Sequence, residues 1–332
     1  MTLDENPERA SARPTWDGLT RGPLYPGAMM TSSAQLATAR TALFSPALRP
    51  DRVLKAQGSG ADCVVVDLED AVAAADKDAA REHLIALLTG THEAGALAGP
   101  VAVRINGPQT EAGRADLDAL RRAARAHEHS ASARAAAAAV GGSAPGCTEA
   151  PELLDAVLIP KLESPDQVRD VRDGLGFEVG IVGTVESAAG LLALEEIVAE
   201  PGVMRLAVGA LDLAFDLGCG SDSRTMAAAM ARVVTVSRAR GLAGPLDSPT
   251  PEFRDLEPVR RAALRAREDG FTGKLCIHPA QVEAAAEAFA PTEEEIAWAR
   301  SVVEAVDGAS AVDGAMVDAP VIARARRLLG EG

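Results

Sequence analysis

The residues with chemistry to offer stand directly after short apolar runs. Glu186 follows Gly180–Thr184, and Asp212 follows Arg205–Val208 across a Gly-Ala-Leu step. Two carboxylates that converge, with substrate oxygens and waters completing the shell, suit a hard divalent cation such as Mg2+. Glu186, just before Ser187, could equally serve a helix cap. Arg104, near the end of Val101–Ile105, presents a planar fork of donors to a carboxylate or a developing oxyanion. It could instead form a structural ion pair with Asp67 or Glu69 in the Asp67-Leu-Glu69-Asp70 segment, and the two roles can coexist. Lys161, after Pro160, is a substrate ligand or an ion-pair partner for a neighbouring acid. His278, before Pro279, is a general base or a capped structural histidine.

The elements that must position these residues alternate in type. Eight apolar runs occur: Thr41–Phe44, Cys63–Asp67, Val101–Ile105, Ala156–Pro160, Gly180–Thr184, Arg205–Val208, Leu242–Leu246 and Lys274–Ile277. Several, such as Cys-Val-Val-Val and Ala-Val-Leu-Ile, are apolar on both faces, as strands of a buried parallel sheet are. Helix-length amphipathic segments separate them. Ser187–Glu200 carries Leu191, Leu194 and Val198 at three- and four-residue spacing. Eight strand–helix units predict an α/β chain folded as a (β/α)8 TIM barrel; a doubly wound open sheet is the alternative on pattern alone. In a barrel, the polar residues named above all fall at the carboxyl ends of strands, where such folds place their chemistry.

Three segments fall outside the repeat. Residues 1–38, rich in Pro, Ser, Thr and Gly, read as a flexible arm before a barrel over 39–290. An Ala/Gly-rich stretch near 127–150 follows the helical Glu111–Ala126 and reads as a surface insertion. Thr292-Glu-Glu-Glu has the form of a capping box and opens an appendage over 291–332, with Ile296, Ala299, Val303 and Val306 on one helix face and a last helix near Ala319–Leu329.

Composition bounds the partners. The 332 residues carry a net charge of −15, which disfavours nucleic acid and anionic membranes. No apolar stretch reaches the length of a membrane span, and the first residues lack a secretory signal, so a cytoplasmic location is expected. Cys63, Cys147, Cys219 and Cys276 form no CxxC pair and the five histidines show no ligand spacing, so buried free thiols are expected and a zinc site is not.

Taken in order, the motifs resemble a known family. Arg40-Thr-Ala-Leu-Phe-Ser-Pro-Ala-Leu-Arg-Pro-Asp-Arg and Gly60-Ala-Asp-Cys-Val-Val-Val-Asp-Leu-Glu-Asp-Ala-Val resemble the opening of the citrate lyase beta-subunit-like proteins of the HpcH/HpaI aldolase superfamily. Val103-Arg-Ile-Asn, Ile159-Pro-Lys-Leu-Glu-Ser, Gly209-Ala-Leu-Asp-Leu-Ala-Phe-Asp-Leu-Gly and Gly273-Lys-Leu-Cys-Ile-His-Pro-Ala-Gln-Val are similar to its later blocks, and Gly314-Ala-Met-Val-Asp-Ala-Pro-Val to the lid motif of its longer members. The resemblance covers about residues 38–330. It implies a TIM barrel with a C-terminal helical lid, and Mg2+ held by Glu186 and Asp212. It places Arg104 near a 2-oxo acid oxygen. By the same resemblance Phe44, Arg49 and Lys55 are expected on the side where CoA docks, and Ile277, His278 and Pro279 among the substrate and CoA contacts. Asp67, Glu69, Asp70 and Lys161 stand behind them. Asp318 on residue type alone is a helix N-cap; the resemblance makes it a lid acid that reaches a neighbouring subunit's site in a homotrimer or hexamer.

The implied reaction is Mg2+-dependent cleavage or formation of a carbon–carbon bond in a 3-hydroxyacyl-CoA such as malyl-CoA or citramalyl-CoA, giving an acyl-CoA and a 2-oxo acid. The alternatives are an aldolase for a free hydroxy-oxo acid, or a citrate lyase beta-type subunit or non-catalytic assembly partner. The sequence departs from the pattern at Leu211, where the family has an acid, at Ala47, where it has glycine, and at Thr-Val-Glu-Ser around Glu186.

Overall fold

The computed structural model describes residues 35–99, 101–140, 154–308 and 318–330. Eight parallel strands close into a barrel in sequence order. They are β1 (Thr41–Pro46), β2 (Cys63–Asp67), β3 (Ala102–Arg104), β4 (Ala156–Ile159), β5 (Gly180–Val185), β6 (Val203–Val208), β7 (Leu246–Asp247) and β8 (Gly273–Cys276). The TIM barrel expected from the alternating pattern is therefore present. β7 is shorter than the run Leu242–Leu246 suggested, because Pro245 has no N–H for the ladder.

The helices are α1 (Gln35–Thr38), α2 (Pro50–Gln57), α3 (Lys77–Thr89), α4 (Glu111–Val140), α5 (Pro165–Leu175), α6 (Ala188–Ile197), α7 (Ala210–Asp216), α8 (Arg224–Ala239), α9 (Glu257–Glu268), α10 (Gln281–Phe289), α11 (Glu293–Gly308) and α12 (Ala319–Leu328). One face of the strands, with Leu43, Val64, Val66, Val103, Val157, Ile159 and Leu206, packs against helix residues such as Val53, Leu84, Leu120, Val171 and Leu194. Strand residues alternate in direction. Phe44, Asp67, Arg104 and Leu158 therefore face the lumen, and the registers Asp67↔Arg104 and Arg104↔Leu158 put the last three side by side.

Local signals set the helix starts. Pro50 and Pro165 occupy first-turn positions of α2 and α5, and Ser187 and Ser223 cap α6 and α8 by accepting from Gly190 N and Met226 N. α4 runs on through the Ala-rich segment to Val140, since alanine is the strongest helix former. The rest of that insertion, residues 141–153, lies outside the described residues, as do residues 1–34 of the arm and 309–317 of the appendage.

α1 falls within the range read as arm, yet Leu36 is fully buried. Asp155 caps α1, accepting from Gln35 N at 2.6 Å and Leu36 N at 2.7 Å. Arg205, itself fully buried, donates to Leu36 O and Ala39 O. The helix is thus fixed against the amino ends of β4 and β6. At the other end of the chain α11 opens on the reciprocal Thr292–Glu295 capping box and packs on α12 through a small core of Ala299, Val302 and Ala325. Among the described residues no helix is long and apolar enough to cross a membrane.

Candidate functional site

Asp67 and Arg104 end adjacent strands and meet as a bidentate pair. Arg104 Nε donates to Asp67 Oδ1 at 2.8 Å and its Nη2 to Oδ2 at 2.6 Å. Its Nη1 lies 3.0 Å from Glu69 Oε2 and 3.5 Å from Asp70 Oδ2. The Phe44 ring supports the guanidinium 4.7 Å from its centroid. Burial works against the charge on Arg104, but the Asp67 pair and then Glu69 and Asp70 outweigh it, so the group stays protonated well above its usual range. Three of its nitrogens are engaged, and donors on the two terminal nitrogens are left over for a ligand. The structural pair read from the sequence is therefore present, in a form that does not exhaust the fork.

Lys161 Nζ reaches Glu69 Oε1 at 2.7 Å, so the ion-pair reading of this lysine is the one observed. Its backbone sits at φ 47°, the one non-glycine residue at positive φ among the described residues. Glu69 is drawn upward in pKa chiefly by burial, with Lys161 and Arg104 opposing. Glu186, 6% exposed, is pushed up to about 7. Burial is the main cause; the Glu69 charge adds to it, Lys161 opposes, and Asp212 adds again. Gly209 makes room for this carboxylate, because a Cβ there would lie 2.6 Å from Glu186 Cγ. Asp212 is exposed in the first turn of α7, beyond the end of β6 at the spacing read from the sequence.

The other expected residues lie at various distances from this cluster. Arg49, at the start of α2, is paired with Asp51 at 3.0 Å in solvent, and Lys55 is exposed near the end of the same helix. Ile277 is 47% exposed. His278 stacks on Phe253 with centroids 4.7 Å apart, and its Nδ1 accepts from Ala280 N, which makes it a capped histidine beside Pro279. Ala47 is buried in ordinary backbone and donates to Asp67 O, so no left-handed residue is needed there. Leu211 is 64% exposed next to Asp212. Asp318 caps α12, accepting from Val321 N at 3.2 Å. Among the described residues its side-chain hydrogen bond is this cap.

Sequence reasoning missed the residues that hold the acid-bearing loop after β2. Lys77 Nζ donates to Leu68 O, Glu69 O and Asn106 Oδ1, at 2.9, 3.0 and 2.7 Å. Asn106 in turn donates to Asp116, which also takes Arg81 Nε at 2.7 Å. None of these has a spacing signature; only the fold brings them together.

A divalent cation fits this arrangement. Asp67, Glu69, Asp70, Glu186 and Asp212 set five carboxylates against Arg104 and Lys161, and the charge on Glu186 is held unfavourably by burial and its acidic neighbours. Among the described residues no three His, Cys, Asp or Glu side chains already converge as a ready-made metal cage. Two carboxylates with water and substrate oxygens is the pattern of Mg2+ rather than of a structural metal.

Comparison with known proteins places the chain among relatives of one family. The model of the HpcH/HpaI aldolase/citrate lyase family matches residues 40–126 and 149–279. A (3S)-malyl-CoA thioesterase of Cereibacter sphaeroides is 33% identical over 88% of this chain and 94% of its own length. A citrate lyase subunit beta-like protein of Deinococcus radiodurans is 34% identical over 90% and 98%. The crystal structure of CitE from Mycobacterium tuberculosis in complex with magnesium, acetoacetate and coenzyme A matches with a TM-score of 0.67 and 30% identity, over 89% of this chain and 98% of that one. The chain belongs to the HpcH/HpaI aldolase/citrate lyase family.

Proposed function

We propose that this protein cleaves or forms the carbon–carbon bond of a 3-hydroxyacyl-CoA of the malyl-CoA or citramalyl-CoA type, with Mg2+ as cofactor. The observation that carries the reading is the placement of Glu186, Asp212 and Arg104 at the carboxyl ends of neighbouring parts of one barrel. The magnesium complexes of CitE with pyruvate and with acetoacetate support it. Glu186 and Asp212 would hold the metal, which when bound supplies Lewis-acid stabilisation of the reacting oxygen.

In the cleavage direction, the substrate hydroxyl gives up its proton to solvent, and the spare N–H donors of Arg104 stabilise the alkoxide as it becomes the carbonyl of the 2-oxo acid. Fixed donors aimed at developing charge are the largest contribution such a site can make. Asp67, Glu69 and Lys161 keep the fork oriented. The electron pair of the broken bond passes to the thioester as an enolate, and Asp318 returns a proton to the α-carbon. Phe44, Arg49, Lys55, Ile277, His278 and Pro279 would face the CoA ester. In this reading the lid acid comes from another copy in a homotrimer or hexamer.

The relative named for (3S)-malyl-CoA thioesterase activity favours a second reading, in which the thioester rather than the carbon–carbon bond is broken. One assay separates them. Purified protein with Mg2+, acetyl-CoA and glyoxylate is expected to yield malyl-CoA. Malyl-CoA supplied alone is expected to give acetyl-CoA and glyoxylate. Release of free CoA and malate without carbon–carbon cleavage selects the thioesterase. Turnover of a free hydroxy-oxo acid without CoA selects an aldolase, and no turnover across a panel of 2-oxo acids and acyl-CoAs leaves the beta-subunit or assembly role.

A further inference from the structure

α7 carries Asp212, but its own first residues do not cap it. The N-cap position is Gly209, which has no side chain to accept a hydrogen bond. The cap comes from another strand: Ser248 Oγ accepts from Ala210 N at 3.0 Å. Ser248 is 6% exposed and follows β7 directly. Its main chain is held in turn by Lys274 of β8, which is 2% exposed and donates from Nζ to Ser248 O at 2.5 Å and to Asp247 Oδ2 at 2.5 Å.

The other end of α7 is also tied. Asp216 lies one turn beyond Asp212, on the same helix face. Its Oδ2 accepts from Ala188 N at 2.7 Å, at the start of α6, two residues beyond Glu186. A seven-residue helix therefore links the two carboxylates; Gly209 N donates to Val185 O at 3.1 Å ahead of it, and the Ser248 hydroxyl is the side chain that holds its amino end.

We infer that Ser248, backed by Lys274, is the positioning residue that sets the spacing of Asp212 and Glu186. The inference rests on the proposed role of those two acids as ligands of a divalent cation. Ser248 touches neither ligand nor substrate; it acts through α7. Residues that orient ligands from behind typically alter metal affinity by 10–100-fold.

The test is isothermal titration of the metal-free protein with Mn2+, beside its thermal unfolding midpoint, for wild type, Ser248→Ala, Ser248→Thr and Asp212→Asn. Ser248→Ala is expected to bind Mn2+ about tenfold more weakly. Ser248→Thr keeps the hydroxyl and is expected to stay near wild type. Asp212→Asn is expected to lose the site. If Ser248→Ala binds as wild type does while Asp212→Asn has lost the site, the hydroxyl is only a structural cap and the inference is overturned, whatever happens to the midpoint. If Asp212→Asn binds as tightly as wild type, the metal reading itself falls and the inference goes with it.

Discussion

Glu186 shows how one residue can be costly to the fold and useful to the site. Its carboxyl is held up to about 7 against an ordinary 4.5, first by burial and then by the Glu69 charge. Between those two values the folded protein binds more protons than the unfolded chain, so stability falls as pH rises through that window. The full difference is about 3 kcal/mol. The metal-free protein is therefore expected to melt higher at pH 5 than at pH 7.5. Glu186→Gln should flatten that dependence and raise the midpoint at the upper pH, as differential scanning calorimetry would show. An unchanged pH slope in the variant would assign the effect elsewhere. Arg104 is the converse. Arg104→Ala leaves Asp67, 1% exposed, facing Glu69 with no cation between them. Removing one partner of a buried pair costs about 3–5 kcal/mol, readable as a drop in the urea midpoint. Both residues were legible in the sequence as polar groups abutting apolar runs. What was not legible was the balance of charge around them, because Glu69, Lys161 and Asp212 arrive from three different loops.

At the scale of elements, the regular parts of the barrel could be read from apolar runs and caps, and the irregular parts could not. β7 is cut short by Pro245, and α7 intervenes between β6 and α8 with Asp212 in its first turn. α1 is only four residues long, too short for any periodicity, and becomes visible only through Asp155 and Arg205, which are far from it in the chain. The turn after β4 is another case. Lys161 adopts φ 47°, a region that costs a residue with a Cβ and favours glycine. Lysine is kept there although glycine would relieve the strain, and its Nζ completes the Glu69 bridge. Both Lys161→Gly and Lys161→Ala lose that bridge, so their difference isolates the backbone. Lys161→Ala is expected to be less stable than Lys161→Gly by about 1 kcal/mol in urea unfolding. Equal midpoints would mean that the turn relaxes when the bridge is gone.

For the whole molecule, the net charge of −15 first reads as hostile to anionic ligands such as CoA and a 2-oxo acid. The distribution removes the conflict. Part of the acid is gathered where a cation would neutralise it, and Arg104 stands among those acids with N–H donors to spare. The C-terminal pair α11–α12 has its own small core and is tied to α9 by the Arg267–Glu295 ion pair. Asp318 caps α12 there. The cap and the proposed acid role make different demands, and asparagine separates them, since it caps helices as well as aspartate does but donates no carboxyl proton. Asp318→Asn is expected to melt like wild type and to lose carbon–carbon cleavage. If the acid acts in a neighbouring copy, Asp318→Asn and Glu186→Gln damage opposite halves of each shared site. Random co-assembly of the two inactive variants after mild denaturation then rebuilds intact sites, restoring about a quarter of wild-type activity in a closed ring of head-to-tail contacts. Absence of recovery, with mixed assembly verified by native mass spectrometry, would place Asp318 in its own subunit's site or outside the chemistry altogether.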